Sequence, residues 1–335
     1  MIPSTYGDMS RHLALGRHSA RLKADVSSLS KEITTGLVGD KARHLNGKLS
    51  FLAGIEQRIE FATARKSIAQ NSANLLATQQ SALAGISARS ESVYLELLQT
   101  PPGENYAQLD RQINALDAAF VDAVKLLNTS FAGRSIFAGV AGDRPALAPA
   151  QDILQALAAD LSPGLDGAGL SAEIDAWFAE GGGFDTAGYL GGDAVPEALN
   201  VGEGLEISFE ITAQASPIRQ TLAGLAKGAV LATGVFDGAP AEKLDALRAA
   251  ASTLAASNTG LIDLAAQVGV QEERAARAVS AAEAEQTAMS IARTELVSAD
   301  PYETATKLEQ AMSQLELIYS LTARLSRLTL ADYLR

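Results

Sequence analysis

Residues 15–36 read LGRHSARLKADVSSLSKEITTG. Within them Leu15, Leu22, Val26, Leu29 and Ile33 fall on alternating spacings of three and four, with only Ser19 off type, which is the repeat of a helix laying one apolar seam along a partner. Gly36 and Gly39 follow, and glycine is where such a helix stops. The stretch predicts a terminal helix whose seam needs something to lie against.

The same repeat runs through most of the chain. A second seam passes from Leu52 through Ile55, Ile59, Ala62, Ala69, Ala73, Leu76 and Leu83 to Leu97, until Pro101-Pro102-Gly103 forces a turn. A third takes Tyr106, Leu109, Ile113, Leu116, Phe120, Val124 and Leu127. Two helices joined by so short a turn should pack antiparallel. Further on, Leu244, Leu247, Leu254, Leu261, Leu264, Val268, Ala275, Val279, Ala282 and Met289 predict one helix of about fifty residues. Asp300-Pro301-Tyr302-Glu303 then restarts a helix, with Asp300 as N-cap, Pro301 in the first turn and Glu303 in capping-box register. Its seam holds Leu308, Met312, Leu315 and Tyr319 and continues less regularly through Leu325, Leu328 and Leu330.

The middle differs. Residues 141–240 hold 16 of the 28 glycines and 6 of the 10 prolines. Residues 150–250 carry 15 acidic against 4 basic side chains, so the net charge of −12 is essentially theirs, while residues 1–50 carry 4 acidic against 8 basic. Leu205, Ile207, Phe209 and Ile211 alternate with Glu206, Ser208, Glu210 and Thr212, a half-buried strand. Ile153, Leu154, Leu157 and Leu161 predict a short helix, and Ile218, Leu222, Leu225 and Ala229 another. The expected fold is therefore mainly α: a long antiparallel helical bundle or coiled coil from both chain halves, with a small α/β insertion domain. Its parts are terminal coiled-coil assembly arms at 1–44 and 300–335, a helical bundle at 45–140 and 241–299, and an acidic, Gly-rich insertion at 141–240.

Composition narrows the function. Of 335 residues 47% are apolar but only 5% aromatic, so the core must rest on Ala, Leu and Val, and helices suit that. The absence of cysteine removes disulfides, thiolate metal sites and Cys nucleophiles together. The acidic balance argues against nucleic acid, and no apolar run is long enough for a membrane span. Pro3, Asp8 and Arg11 stand where the apolar part of a signal peptide would be, so export, if any, is expected without a cleaved signal. His12, His18 and His44 all lie in the basic N-terminal segment, and none has a metal-ligand partner one turn on. Gly202-Glu203-Gly204 and Gly181-Gly182-Gly183 fit no phosphate-binding loop, and no nucleophile elbow or calcium loop occurs. No catalytic residue, metal or cofactor is expected.

The terminal helices pose a physical problem. Burying a handful of aliphatic side chains cannot by itself offset ordering some thirty residues of backbone. Each arm is the natural partner of the other, yet Leu13, Ala14, Ala20 and Ala24 on one, and Ile318, Leu321, Leu328 and Leu330 on the other, are read as lying outside the pair. Packing of many copies would cover them, which couples folding to self-assembly.

This arrangement of parts resembles the bacterial flagellin family, and within it the hook–filament junction proteins. The match is carried by the stretch from Leu126 to Gly139, in which Asn128, Phe131, Gly133, Arg134, Phe137 and Gly139 are similar to a helix end followed by the Gly-Arg-x-x-Phe-x-Gly pattern of the junction proteins. Filament flagellins share the Asn128 to Phe131 part, while Arg134 to Gly139 favours the junction proteins. The end of the chain, from Leu325 through Leu328, Leu330 and Tyr333 to Leu334, is also similar, as is Thr34-Thr35-Gly36; Gly39-Asp40-Lys41-Ala42 stands where the family has Asp-Asp-Pro-Ala. The resemblance covers roughly 1–140 and 240–335. It implies a structural protein rather than an enzyme, exported without a cleaved signal through the flagellar type III channel and held beforehand by an export chaperone. It implies a ring of copies of the chain in the extracellular flagellum, between the first hook-associated protein and flagellin. The arm residues from Leu15 to Ile33 and from Leu308 to Leu330 would then be the assembly interface. Two other readings are open: filament flagellin itself, and an unrelated intracellular coiled-coil scaffold.

Overall fold

A computed structural model of the chain describes residues 5–99, 106–202 and 204–333, apart from the side chains of 5–9, 11, 12, 106, 107 and 325–333. Nine α-helices and two small hairpins are seen among these residues: α1 (Thr5–Thr35), α2 (Lys41–His44), α3 (Leu49–Leu98), α4 (Tyr106–Leu127), β1 (Ser130–Phe131), β2 (Arg134–Ser135), α5 (Ala150–Asp160), α6 (Gly167–Phe178), a π-helical turn (Phe184–Gly188), β3 (Leu199–Gly202), β4 (Leu205–Ile207), α7 (Ser216–Ala232), α8 (Pro240–Val297) and α9 (Pro301–Tyr333). The fold is mainly α, with long helices from both halves of the chain. It divides into two units, residues 1–63 with 283–335 and residues 64–282. Helices α3 and α8, of 50 and 58 residues, contribute to both.

The helix ends follow the sequence. Gly36 adopts φ +70° and its N–H closes the last turn of α1 on the Glu32 carbonyl at 2.8 Å. Asp300 caps α9, its Oδ1 accepting from the N–H groups of Tyr302 and Glu303 at 2.8 and 3.0 Å. Asp166 does the same for α6 through Gly169 N–H at 2.7 Å.

In the unit of residues 64–282 one continuous core joins α3, α4, α5, α6, α7 and α8. The stripe read along α4 is its spine: Leu116, Phe120 and Leu127 are fully buried, with Leu109, Ile113 and Val124 beside them. Helix α7 is buried almost all round, every residue from Ile218 to Leu231 except Gln220 being inaccessible. It fits because Gly224 and Gly228 leave room: a Cβ there would come within 2.8 Å of Leu254 and 2.2 Å of Leu116. Trp177, Phe178 and Phe184 cluster with ring centroids 4.9 to 6.3 Å apart, and the Trp177 indole N–H donates to Asp160 at 2.8 Å.

One expectation about the middle segment needs correction. The strand read over 205–212 pairs only at Leu205–Ile207, against Leu199–Gly202, with a register shift between Asn200 and Gly202. Beyond it no strand lies alongside; Ser208 N–H turns to the Gln271 side chain and Ala213 N–H to the Phe137 carbonyl. The middle segment also holds α6, a helix not read in the sequence, with Leu170, Ile174 and Trp177 buried along it.

In the unit of residues 1–63 and 283–335, α1 and α9 run antiparallel, since Lys23 lies over the Tyr319 ring while Gly36 meets Ala299. In the same unit Leu52, Ile55 and Ala62 form the buried stripe of α3, and Thr63 accepts a hydrogen bond from Gln286 of α8 at 3.1 Å.

Candidate functional site

The seam between α1 and α9 is small. Leu22, Ala311 and Ile318 are buried, with Leu15, Val26, Leu29 and Leu315 packed around them and Leu308 half-buried. Thr304 is buried too, its hydroxyl donating to the Asp300 carbonyl at 2.7 Å. On α9 the inner stripe is thus Thr304, Leu308, Ala311, Leu315 and Ile318. Three sequence readings change: Ile318 lies inside the pair, Met312 and Tyr319 lie on the surface, both about half exposed, and Ile33, read as part of the α1 seam, is exposed beyond its packed part. The 4-3-4-3 spacing from Thr304 to Ile318 was legible, but the larger Met312 and Tyr319 stand one residue away from Ala311 and Ile318 and drew the reading. The side chains of Leu325, Leu328 and Leu330 lie outside the described residues.

What the pair leaves uncovered is extensive. Leu13, Ile33, Leu317 and Leu321 are 44 to 61% exposed, and Met312 and Tyr319 are exposed on the other flank of the α9 inner stripe. Phe51 and Phe61 on α3, in the same unit, are 64 and 58% exposed. More than half of the exposed large apolar side chains among the described residues sit in this unit, which is about a third of the chain. Isolated exposed leucines are ordinary; a set of them along one helix marks an interaction surface.

The stretch from Asn128 to Gly139 belongs to the other unit. Asn128 ends α4 and clamps the backbone of Leu147 from both sides, its amide donating to the Leu147 carbonyl at 2.9 Å while its Oδ1 accepts the Leu147 N–H at 2.8 Å. The β1–β2 hairpin pairs half-buried Phe131 with exposed Arg134 across the two-residue loop Ala132-Gly133, both with positive φ, as a type I′ turn requires. Phe137 is fully buried. Gly139, at φ +59°, approaches the carbonyls of Gly192 and Ala194 so closely that a Cβ would stand 2.7 Å from each. The motif shapes a rigid turn; its residues act through position rather than reactivity.

The chemistry available elsewhere is already engaged. An open cleft of about 810 Å³ is lined by Asp175, Phe178, Gln214, Arg219, Ser252 and Thr253. Arg219 is held by the Asp185 carboxylate and by the carbonyls of Gln214, Phe178 and Ala179. Burial pushes the Asp185 carboxyl up, but hydrogen bonds from Arg219, Gly181 and Gln214 together with the guanidinium charge hold it below the ordinary carboxylate range. Buried Lys227 donates to Asp175 at 2.8 Å and Thr253 at 2.7 Å. Among the described residues no cluster of three His, Asp or Glu could hold a metal, and no helix is long and apolar enough to cross a membrane.

Residues 252–334, from within α8 to the end of α9, match the bacterial flagellin C-terminal helical region, so the flagellin resemblance is borne out there. Among solved structures, a protein described as a flagellar hook-associated protein from Vibrio parahaemolyticus aligns at 14% identity over 73% of this chain and 95% of that one, with a TM-score of 0.49. No curated protein sequence matches the chain.

Proposed function

We propose, from the premise that residues 252–334 form a flagellin C-terminal helical region, that this chain is a structural protein of the bacterial flagellum and forms the junction ring joining hook to filament. The observation that carries the reading is the coincidence of that region with α9, whose inner stripe is closed by α1 while Met312, Leu317, Tyr319 and Leu321 are left for neighbours. A helix pair with so thin a seam is stabilised by burying its outer apolar surface against further copies. On this reading the chain acts as a mechanical adaptor without cofactor or catalytic group, contacting its own copies, the first hook-associated protein and flagellin, after delivery by an export chaperone. The turn from Gly133 to Gly139 favours the junction role over filament flagellin. The three-part division into arms, bundle and insertion belongs to the same proposal.

Imaging intact flagella with this chain labelled tests it. A single band at the hook–filament boundary is the expected result. Label along the whole filament makes the chain a filament flagellin instead, and label missing from sheared flagella removes it from the flagellum.

A further inference from the structure

The roots of the two terminal helices meet. Helix α1 stops at Gly36, α8 stops at Val297, and Pro301 starts α9 without an N–H to continue the α8 ladder. Helix ends leave backbone groups without partners. Here two such segments supply partners to each other: Val38 N–H donates to the Val297 carbonyl and Ala299 N–H to the Gly36 carbonyl, each at 2.9 Å. These bonds flank Leu37 and Ser298, which oppose each other as one antiparallel pair.

Glu32 completes the arrangement. A carboxylate in the last turn of a helix is disfavoured by the helix dipole. This one accepts the Gly39 N–H at 2.9 Å and so turns the chain back just past the bridge. A Cβ at Gly39 would lie 2.8 Å from Ser28 Oγ and 3.0 Å from Glu32 Oε1, so a larger residue there would displace the ends of both side chains, the Glu32 carboxylate included. Beyond the bridge the buried apolar residues between α1 and α9, among the described ones, are Leu22, Ala311 and Ile318. Fixing the ends of two helices raises the effective concentration of one for the other, and that matters most where the seam is thin.

We propose that 36–38 and 297–299 form a permanent clasp, locked by Glu32, that makes α1 and α9 one mechanical element, so that both arms enter an assembly together and share a load applied to either. The assembly clause rests on the function proposed above; the coupling of the arms does not. The chain has no cysteine, so Leu37→Cys with Ser298→Cys introduces a single possible disulfide. An opposed pair without mutual hydrogen bonds has Cα atoms about 4.5 Å apart, within the roughly 4.4–6.8 Å that a disulfide spans.

The oxidised double variant is expected to assemble as well as the unmodified chain and to exchange arm amides more slowly. Val38→Pro, which deletes one donor, should speed exchange across 304–322 by about tenfold, and Glu32→Ala should do so to a lesser degree without a proline in the backbone. Exchange in residues 110–125 reports whether each variant is folded. Failure of the disulfide to form, loss of assembly on oxidation that reduction restores, or unchanged exchange in α9 in both single variants would each overturn the clasp. If the unmodified chain forms no assembly, the functional reading falls, and the exchange measurements on the monomer still decide the clasp.

Discussion

Helices α7 and α9 show two ways of using apolar residues. In α7 almost every side chain is buried, the charged Arg219 and Lys227 included, and small glycines admit the neighbouring helices. In α9 burial follows one narrow stripe, and large apolar residues face outward on either side of it. The first helix belongs to a unit with one continuous buried core, the second to a unit that leaves large apolar side chains exposed, as the proposed assembly would require. Stability should accordingly reside in residues 64–282, and assembly in residues 1–63 with 283–335.

Core truncation in the first of these should have the largest effect. Phe120 is fully buried, so Phe120→Ala is expected to cost about 3–5 kcal/mol in the main unfolding transition, read by denaturant titration. Arg219→Met comes next, at roughly 3 kcal/mol, because it removes the donor to three carbonyls and leaves the Asp185 carboxylate without its cation. The same pair makes an acid-dependent contribution. The folded pKa of Asp185 lies below its unfolded value, so the pair's full contribution is present above the unfolded value and is lost as pH falls through the folded one. The stability gap between the unmodified chain and Asp185→Asn should be constant near neutrality and close below about pH 4.

Leu22→Ala sharpens the comparison. It should loosen α1 against α9 by about 2 kcal/mol, seen as faster amide exchange in both helices and weaker assembly, with the main transition unmoved. A shift of that transition as large as the one from Phe120→Ala would mean that the arms are part of the stable core after all.

How far these differences were legible in the sequence depends on what sets them. The seams of α3, α4 and α8, that of α1 apart from exposed Ile33, the Gly36 stop and the Asp300 cap are local patterns, and they are in place. The central position of α7 was not legible, because its apolar stripe fits a surface helix equally well; what buries the remaining faces is α4, α6 and α8 closing on Gly224 and Gly228, which depends on residues far away in sequence. The short reach of β4 was hidden similarly, since alternation marks a half-buried segment whether or not a second strand lies beside it. On α9 the repeat was visible, but the choice between Ala311 and Met312 as the inner residue turns on how close α1 comes, and no single-helix pattern contains that. The clasp at Leu37 and Ser298 joins residues at opposite ends of the chain and left no sequence signal.

Two surface turns give the smallest test. Each unit has one described non-glycine residue at positive φ, Asn46 at +49° in one and Ala132 at +50° in the other. Asparagine tolerates this region because its side chain can satisfy the local backbone; alanine pays about 1–2 kcal/mol there. Ala132 is held in spite of that cost: Asn128 clamps Leu147, Ser135 N–H reaches the Gly142 carbonyl at 2.8 Å, and Phe137 anchors the following chain in the core. Substitution to glycine relieves the strain but adds freedom to the unfolded chain, an opposing effect of about 0.4–1 kcal/mol. Ala132→Gly should therefore raise the main transition by roughly 0.5–1 kcal/mol, whereas Asn46→Gly should leave it where it is. A loss of stability from Ala132→Gly would show that the turn does not have the geometry its paired positive φ angles describe.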